Sequence, residues 1–144
     1  MKAQDVYLSL GSNQGDRQAR IDEALRRLDK AVGRPYDALS SVIETPAWGF
    51  DGPPFLNCVV RYRTARRPET LLKICKRIER AMGRRGAPEY GADGRRIYRD
   101  RPIDIDILLY GDERVDTPDL QIPHPLMRQR DFIMRPLNEI FAQK

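Results

Sequence analysis

The chain has little of what several common chemistries require. It holds one histidine, two cysteines and one tryptophan among 144 residues. A closed zinc site needs several His, Cys or carboxylate ligands at tight spacing, and Cys58, Cys75 and His124 stand far apart. Both cysteines lie in apolar, strand-like or helix-like settings and read as buried free thiols. His124 sits in Pro123-His124-Pro125 with no companion nucleophile motif, which leaves Ser-His-Asp catalysis unsupported. No GxxxxGK[ST] loop occurs, and Gly11-Ser12-Asn13-Gln14-Gly15 lacks the lysine that would make one. No apolar run approaches a membrane span. Met1 to Asp5 is polar, and Val6 to Leu10 is too short for the apolar stretch of a secretory signal. A cytoplasmic protein is expected.

What is present suits one soluble domain, expected over residues 1–144. Hydrophobic residues make up 40% and charged residues 33%, enough apolar material for a proper core. The formal charge of +5 is unevenly placed. Between positions 84 and 101 there are six arginines against three acids, Glu89, Asp93 and Asp100. Such a cluster points to an anionic partner at one place, either a nucleic acid or a nucleoside triphosphate.

Periodicity places the elements. Val6 to Leu10 reads as a first strand, closed by the loop Gly11 to Asp16. Ile21, Leu25, Leu28 and Val32 form the stripe of an amphipathic helix, stopped by Gly33 and Pro35. Tyr36 to Glu44 reads as a second strand and Leu56 to Arg63 as a third, separated by a stretch dense in Gly, Pro and aromatics. Pro68 suits the first turn of a second helix, with the stripe Leu71, Cys75, Ile78 and Met82. A fourth strand follows the basic stretch, and Pro136 to Phe141 reads as a short closing helix. The order βαββαβ predicts an α+β sandwich of ferredoxin-like type. Its mainly antiparallel sheet carries two helices on one face and leaves the other face for ligands.

The fourth strand is Ile103-Asp104-Ile105-Asp106-Ile107-Leu108-Leu109-Tyr110. In an extended chain residues two apart share a face, so Asp104 and Asp106 stand together while Ile103, Ile105 and Ile107 turn to the core. Two adjacent carboxylates repel, and a cation beside them relieves that cost. Oxygen ligands alone favour Mg²⁺ shared with substrate phosphates. A solvated polar face on an edge strand explains the same spacing equally well. Arg101 and the basic stretch before it favour the cation.

At this point the chain closely resembles the 6-hydroxymethyl-7,8-dihydropterin pyrophosphokinase family. The resemblance is carried in order by Leu10-Gly11-Ser12-Asn13, Thr45-Pro46, Phe55-Leu56-Asn57, Arg77-Ile78-Glu79 and Gly83-Arg84. Arg101-Pro102-Ile103-Asp104-Ile105-Asp106-Ile107-Leu108, Pro123-His124-Pro125, Arg130 with Phe132, and Pro136-Leu137-Asn138-Glu139-Ile140 complete it. Each string is weak alone, but together they span nearly the whole chain.

The resemblance implies a folate-pathway enzyme that moves pyrophosphate from ATP to a pterin alcohol and releases AMP. It assigns two Mg²⁺ ions to Asp104 and Asp106, and phosphate stabilisation in catalysis to Arg84 and Arg101. Charge spreads over phosphoryl oxygens in such a transfer, so cations supply most of the help. The ATP side is expected to use Glu79, Tyr98, His124 and Arg130, with Ile107 near the adenine. A flat polar heterocycle wants aromatic faces and an amide to read its edge. Phe55, Phe132 and Asn57 fit that need, with contacts from Thr45, Pro46 and Trp48. Core packing is the plain alternative for the two phenylalanines, whereas a buried amide needs partners. The implied partners are small molecules acting on a monomer, with no nucleic acid and no membrane.

Some positions depart from the family pattern. Tyr98-Arg99-Asp100-Arg101 stands where relatives carry aromatic-Gly-Pro-Arg, Gly86 where a second loop arginine is expected, and Lys76 where glutamine is expected. These departures keep open a paralogue acting on another pterin-like alcohol. A non-catalytic nucleotide- or RNA-binding module of the same fold is a separate alternative, but no strand shows the paired aromatics of RNA-reading sheets.

Overall fold

Along the first strand Val6, Leu8 and Leu10 alternate with Tyr7, Ser9 and Gly11, and both sets find something to pack against. The computed structural model describes residues 2–83, 89–90, 92, 96–97 and 102–142. In chain order its elements are β1 (Gln4–Ser12), α1 (Arg17–Val32), β2 (Ala38–Leu39), β3 (Ile43–Thr45), β4 (Phe55–Thr64) and α2 (Pro68–Ala81). They continue with β5 (Glu89–Tyr90), β6 (Arg96–Ile97), β7 (Asp104–Tyr110), β8 (Val115–Asp116), β9 (Gln121–Ile122) and α3 (Asp131–Ala142).

The main sheet runs β2-β4-β1-β7, with β3 also on β4, and every pairing is antiparallel. With β2 and β3 counted as one interrupted strand, this is the expected ferredoxin-like α+β arrangement. The interruption has a local cause. Ser40 spends its hydroxyl as well as its main chain on β4: Ser40 N–H donates to Val59 O (2.9 Å), and Val59 N–H donates to Ser40 Oγ (2.8 Å). A side chain taking a ladder bond breaks the register, so Tyr36 to Glu44 is two short strands.

The helix stripes fall where periodicity puts them. Ile21, Leu25, Leu28 and Val32 of α1 and Leu71, Ile74, Cys75 and Ile78 of α2 are buried against Leu8, Leu10, Val60, Tyr62, Ile105 and Ile107. Each such aliphatic side chain contributes about 1.5–3 kcal/mol on burial. Asp16 caps α1 by accepting from Ala19 N–H (3.1 Å), and Gly33 ends the helix in the left-handed region, where glycine is unstrained. Pro68 occupies the first turn of α2, as expected.

The second face differs from the expectation. It is not wholly open: α3 lies on it, burying Ile133, Leu137 and Ile140 against Tyr7, Val59 and Leu108. The helix also begins at Asp131, with Pro136 in its interior. The apolar spacing from Phe132 onward is helical, and one lost main-chain bond at Pro136 is outweighed by that packing. Because α3 covers only one end of the face, the end carrying Ser9, Gly11, Asn57, Asp104 and Asp106 faces a cleft.

Candidate active site

The sheet register assembles the site. Gly11 pairs with Asp104 on one side and Asn57 on the other, and Ser9 pairs with Asp106. Paired residues of antiparallel strands share a face, so Asp104, Gly11 and Asn57 form one row across three strands. Two strand spacings separate the ends of that row, about 10 Å. Asp104 and Asp106 are half-buried on the cleft side, while Ile103, Ile105 and Ile107 are at most 4% exposed on the helix side.

This pair fits Mg²⁺ on its donor chemistry. Both side chains offer oxygen only, on one face, at the wall of a cleft. Among the described residues no group of three or more His, Cys, Asp or Glu side chains could hold a metal ion. Two carboxylates cannot complete an octahedral shell, so the other ligands must be water and a substrate's oxygens, the usual manner in which proteins hold Mg²⁺.

The other end of the row is an amide held in place. Asn57 is 6% exposed, and its Nδ2 donates to Thr45 Oγ1 at 2.6 Å. Its Oδ1 approaches Gly11 so closely that a Cβ there would stand 2.8 Å away. Gly11 is therefore a glycine of close approach, needed for the room it leaves. With one amide hydrogen bond committed to Thr45, the orientation of the Asn57 carbonyl is set.

The β3–β4 connection forms the cleft wall, bringing Pro46, Trp48, Phe50 and Phe55 to it. It is pinned at both ends, from the loop after β1 and from the first residue of α1. Asn13 Nδ2 donates to Pro53 O (3.1 Å), Arg17 Nη1 donates to Pro54 O (3.0 Å), and Arg17 Nη2 pairs with Glu44 (2.8 Å). These bonds give physical content to the Gly-Ser-Asn string after the first strand. Phe50 stands edge-on to Phe55, ring centroids 6.3 Å apart.

Arg130 packs against this wall. It ends the 3₁₀ turn Met127–Gln129 and precedes α3, which also delivers Phe132. The Arg130 guanidinium lies 4.4 Å from the Trp48 ring centroid and 5.7 Å from that of Phe132. A delocalised, weakly hydrated guanidinium suits such a place, stacked on rings and 7% exposed. Expected on the nucleotide side, Arg130 is thus packed against two residues expected on the pterin side.

Nine of the sequence-selected residues line this cleft: Thr45, Pro46, Trp48, Phe55, Asn57, Asp104, Asp106, Arg130 and Phe132. Three others are arranged around the strand that carries the aspartates. Glu79 is 2% exposed, and its Oε2 accepts from Ile105 N–H at 2.8 Å. His124 N–H donates to Leu108 O (3.0 Å), and its Nδ1 accepts from Leu126 N–H (3.2 Å). An accepting Nδ1 puts the proton of a neutral imidazole on Nε2, making that nitrogen a donor. Ile107 turns its side chain into the helix-side core, because it alternates with Asp106. Any contact it makes with a ligand falls to its main chain on the edge strand. Arg84, Tyr98 and Arg101 lie outside the described residues.

Sequence reasoning passed over Ser9 and Phe50, which also line the cleft. The alternation of Tyr7, Ser9 and Gly11 against a neighbouring Asp-bearing strand was the available signal for Ser9. Phe50 lay in the aromatic-rich stretch without a feature to separate it. The anchoring of the loop by Asn13 and Arg17 had no signal in linear spacing, since 40 and 37 residues separate the partners.

Comparison with known proteins gives a consistent result. Residues 7–142 match the family model described as 7,8-dihydro-6-hydroxymethylpterin-pyrophosphokinase. A 2-amino-4-hydroxy-6-hydroxymethyldihydropteridine pyrophosphokinase of Porphyromonas gingivalis is 47% identical over 137 residues, covering 94% of this chain and 89% of the relative. The enzyme of that name from Aquifex aeolicus is 41% identical over 136 residues, covering 94% and 79%. A folate synthesis bifunctional protein of Pisum sativum is 41% identical over 140 residues, 96% of this chain but 25% of that protein. Among solved structures, an HPPK-DHPS in complex with substrates superimposes with a TM-score of 0.72 at 15% identity, covering 97% of this chain and 40% of the other. That likeness speaks to fold alone.

Proposed function

The chain belongs to the 7,8-dihydro-6-hydroxymethylpterin-pyrophosphokinase family, and we infer from that membership that it transfers pyrophosphate from ATP to 6-hydroxymethyl-7,8-dihydropterin. The products are the pterin diphosphate and AMP, and the reaction belongs to folate synthesis. The observation that carries the residue-level reading is the convergence of an oxygen-only acid pair, an oriented amide, two phenylalanines and a buried arginine on one cleft.

In this reading Asn57 reads the polar edge of the pterin through its oriented carbonyl, and Phe55 and Phe132 offer ring faces to the heterocycle. Thr45 holds Asn57, and Pro46 and Trp48 complete that wall. Along the row from Asn57 to Asp104 the pterin hydroxymethyl oxygen is carried toward the acid pair. Asp104 and Asp106 would hold two Mg²⁺ ions, which would supply neutralisation of the phosphoryl charge of ATP. Arg130, stacked on Trp48 in the cleft that the acid pair also lines, supplies a cation to the nucleotide phosphates. His124 offers Nε2–H to phosphate or ribose from the β7 side, where Glu79 and Ile107 also lie. Arg84, Arg101 and Tyr98 supply further contacts to the phosphates and nucleotide. The pterin hydroxymethyl oxygen forms a bond to the β-phosphorus and gives up its proton to solvent, the bond from the β-phosphorus to the α,β-bridging oxygen breaks, and AMP leaves with that oxygen.

The finer expectations belong to the same proposal: two metal ions, a monomer and a cytoplasmic setting. No helix of the described residues is long and apolar enough to cross a membrane. The deciding experiment supplies ATP, Mg²⁺ and the dihydropterin alcohol and identifies both products. Formation of AMP and pterin diphosphate is expected; ADP with a pterin monophosphate overturns the reaction class. Asp104→Asn and Asp106→Asn should each cut turnover at least about 100-fold, on the scale of losing a transition-state charge stabiliser. Both variants should keep the wild-type circular dichroism spectrum. Near-normal turnover in either refutes the metal assignment.

A further inference from the structure

Among the described residues Glu79 is the only acidic side chain that is buried. Its position is dictated by α2. Leu71, Ile74, Cys75 and Ile78 pack that helix onto the sheet, and Glu79 follows Ile78 at the margin of the packed face, beside β7. There Oε2 accepts from Ile105 N–H at 2.8 Å, and Oε1 is 3.7 Å from Lys76 Nζ one turn back. A buried carboxylate is costly, so its charge-assisted bond to a main-chain amide is an interaction the fold has gone out of its way to make.

The amide it grips is the one between the two aspartates. β7 is an edge strand, paired on one side with β1. Among the described residues no further ladder strand pairs with its outer edge at Ile105, which leaves that N–H for another partner. The Ile105 N–H belongs to the peptide plane that joins Asp104 to Ile105. Fixing that plane sets the direction in which Asp104 leaves the backbone relative to Asp106. The Cys75 thiol, in the core beside α2, is pushed up by burial first and then by the charges of Glu79 and Asp106.

We propose that Glu79 is a positioning residue for the Asp104/Asp106 pair, acting through the Ile105 amide rather than by touching the nucleotide. This rests on the metal reading of that pair. Oriented supports of this kind behind first ligands typically set metal affinity by 10–100-fold.

Three substitutions separate reach from charge. Glu79→Gln keeps an oxygen acceptor at the same reach, Glu79→Asp keeps the charge but withdraws the oxygen, and Glu79→Leu removes both. Each is measured for Mn²⁺ affinity with a non-hydrolysable ATP analogue by electron paramagnetic resonance, and for hydrogen exchange at Ile105. Glu79→Gln should stay within about 3-fold of wild type, while Glu79→Asp and Glu79→Leu should lose about 10-fold or more in Mn²⁺ affinity. The two weakened variants should also exchange the Ile105 amide faster, with the KM for the pterin unchanged. Wild-type Mn²⁺ affinity in Glu79→Asp overturns the proposal, even if Glu79→Leu does not fold. So does a Glu79→Gln variant that loses affinity while its Ile105 amide stays protected, since charge alone would then be acting. Asp104→Asn in the same assay distinguishes the two levels: if it leaves Mn²⁺ binding intact, the metal reading itself has failed.

Discussion

Gly11→Ala tests the geometry of the pterin end with one methyl group. In a strand, replacing glycine by alanine usually stabilises by about 0.5–1 kcal/mol, because glycine loses more chain entropy on folding. Gly11 is not in the left-handed region, so its backbone accepts alanine. The close approach opposes that gain. A Cβ would meet Asn57 Oδ1 at 2.8 Å and Phe55 Cδ2 at 3.4 Å. Asn57 cannot step aside freely, since its Nδ2 is held by Thr45 Oγ1 at 2.6 Å in a buried setting. Overpacking costs about 1–3 kcal/mol, and loss of the buried hydrogen bond adds about 1 kcal/mol. The unfavourable terms win, with a net loss of about 1–3 kcal/mol after the entropic gain is subtracted. In urea this moves the unfolding midpoint down by about 1 M for a slope near 2 kcal/mol per M. The same displacement misorients the Asn57 carbonyl, so the KM for the dihydropterin should rise about tenfold, the equivalent of one hydrogen bond of about 1.4 kcal/mol. The KM for ATP should stay near wild type. A Gly11→Ala protein of unchanged or increased stability and unchanged pterin KM would refute the reasoning.

Other consequences are open to simple assays. Trp48 is the single tryptophan, so its emission reports on the cleft: Arg130→Met should alter it by removing the cation over the ring, and pterin binding should alter it in the wild type. Emission indifferent to both would remove Trp48 from the site. Asn13→Ala should unpin the β3–β4 connection at Pro53, costing about 1 kcal/mol and making proteolysis within 46–54 faster; unchanged cleavage would contradict the anchoring role. The Cys58 thiol is pushed up to about 12, chiefly by burial and then by Asp22. Its folded-state value lies above the unfolded value of 9.0, so its contribution is complete below about pH 9. That contribution is lost as pH rises toward 12, at about 1.4 kcal/mol per pH unit, because only the unfolded chain releases the proton. The Cys75 thiol, also pushed up by burial, acts in the same sense. Urea midpoints measured from pH 8 to 10.5 should fall above pH 9, and less steeply in Cys58→Ala; a flat profile would contradict the burial argument.

The elements were legible because their signals are local. Ile21, Leu25, Leu28 and Val32 recur at helical spacing, Gly33 and Pro68 mark ends by backbone chemistry, and Ile105 alternates with Asp104 and Asp106 by pleat geometry. Those features act over a few residues, so linear order contains them. The split of Tyr36 to Glu44 was not legible, because it depends on Ser40 meeting Val59 across the sheet. Nor was the placing of α3 on the second face, since amphipathic spacing says that a helix buries one side and not which surface receives it.

The same division holds for the site. From its sequence alone this protein was determined to carry a same-face acid pair on an apolar strand, an aromatic-rich loop and one proline-flanked histidine, with a set of motifs that mark its family. Alternation and composition suffice for those. Only the tertiary structure decided that Glu79 grips the amide between the aspartates, that Gly11 makes room for Asn57, and that Arg130 stacks on Trp48. Each of those pairs is separated by tens of residues in the chain and brought together by sheet register and helix packing, quantities that exist only once the chain has closed on itself.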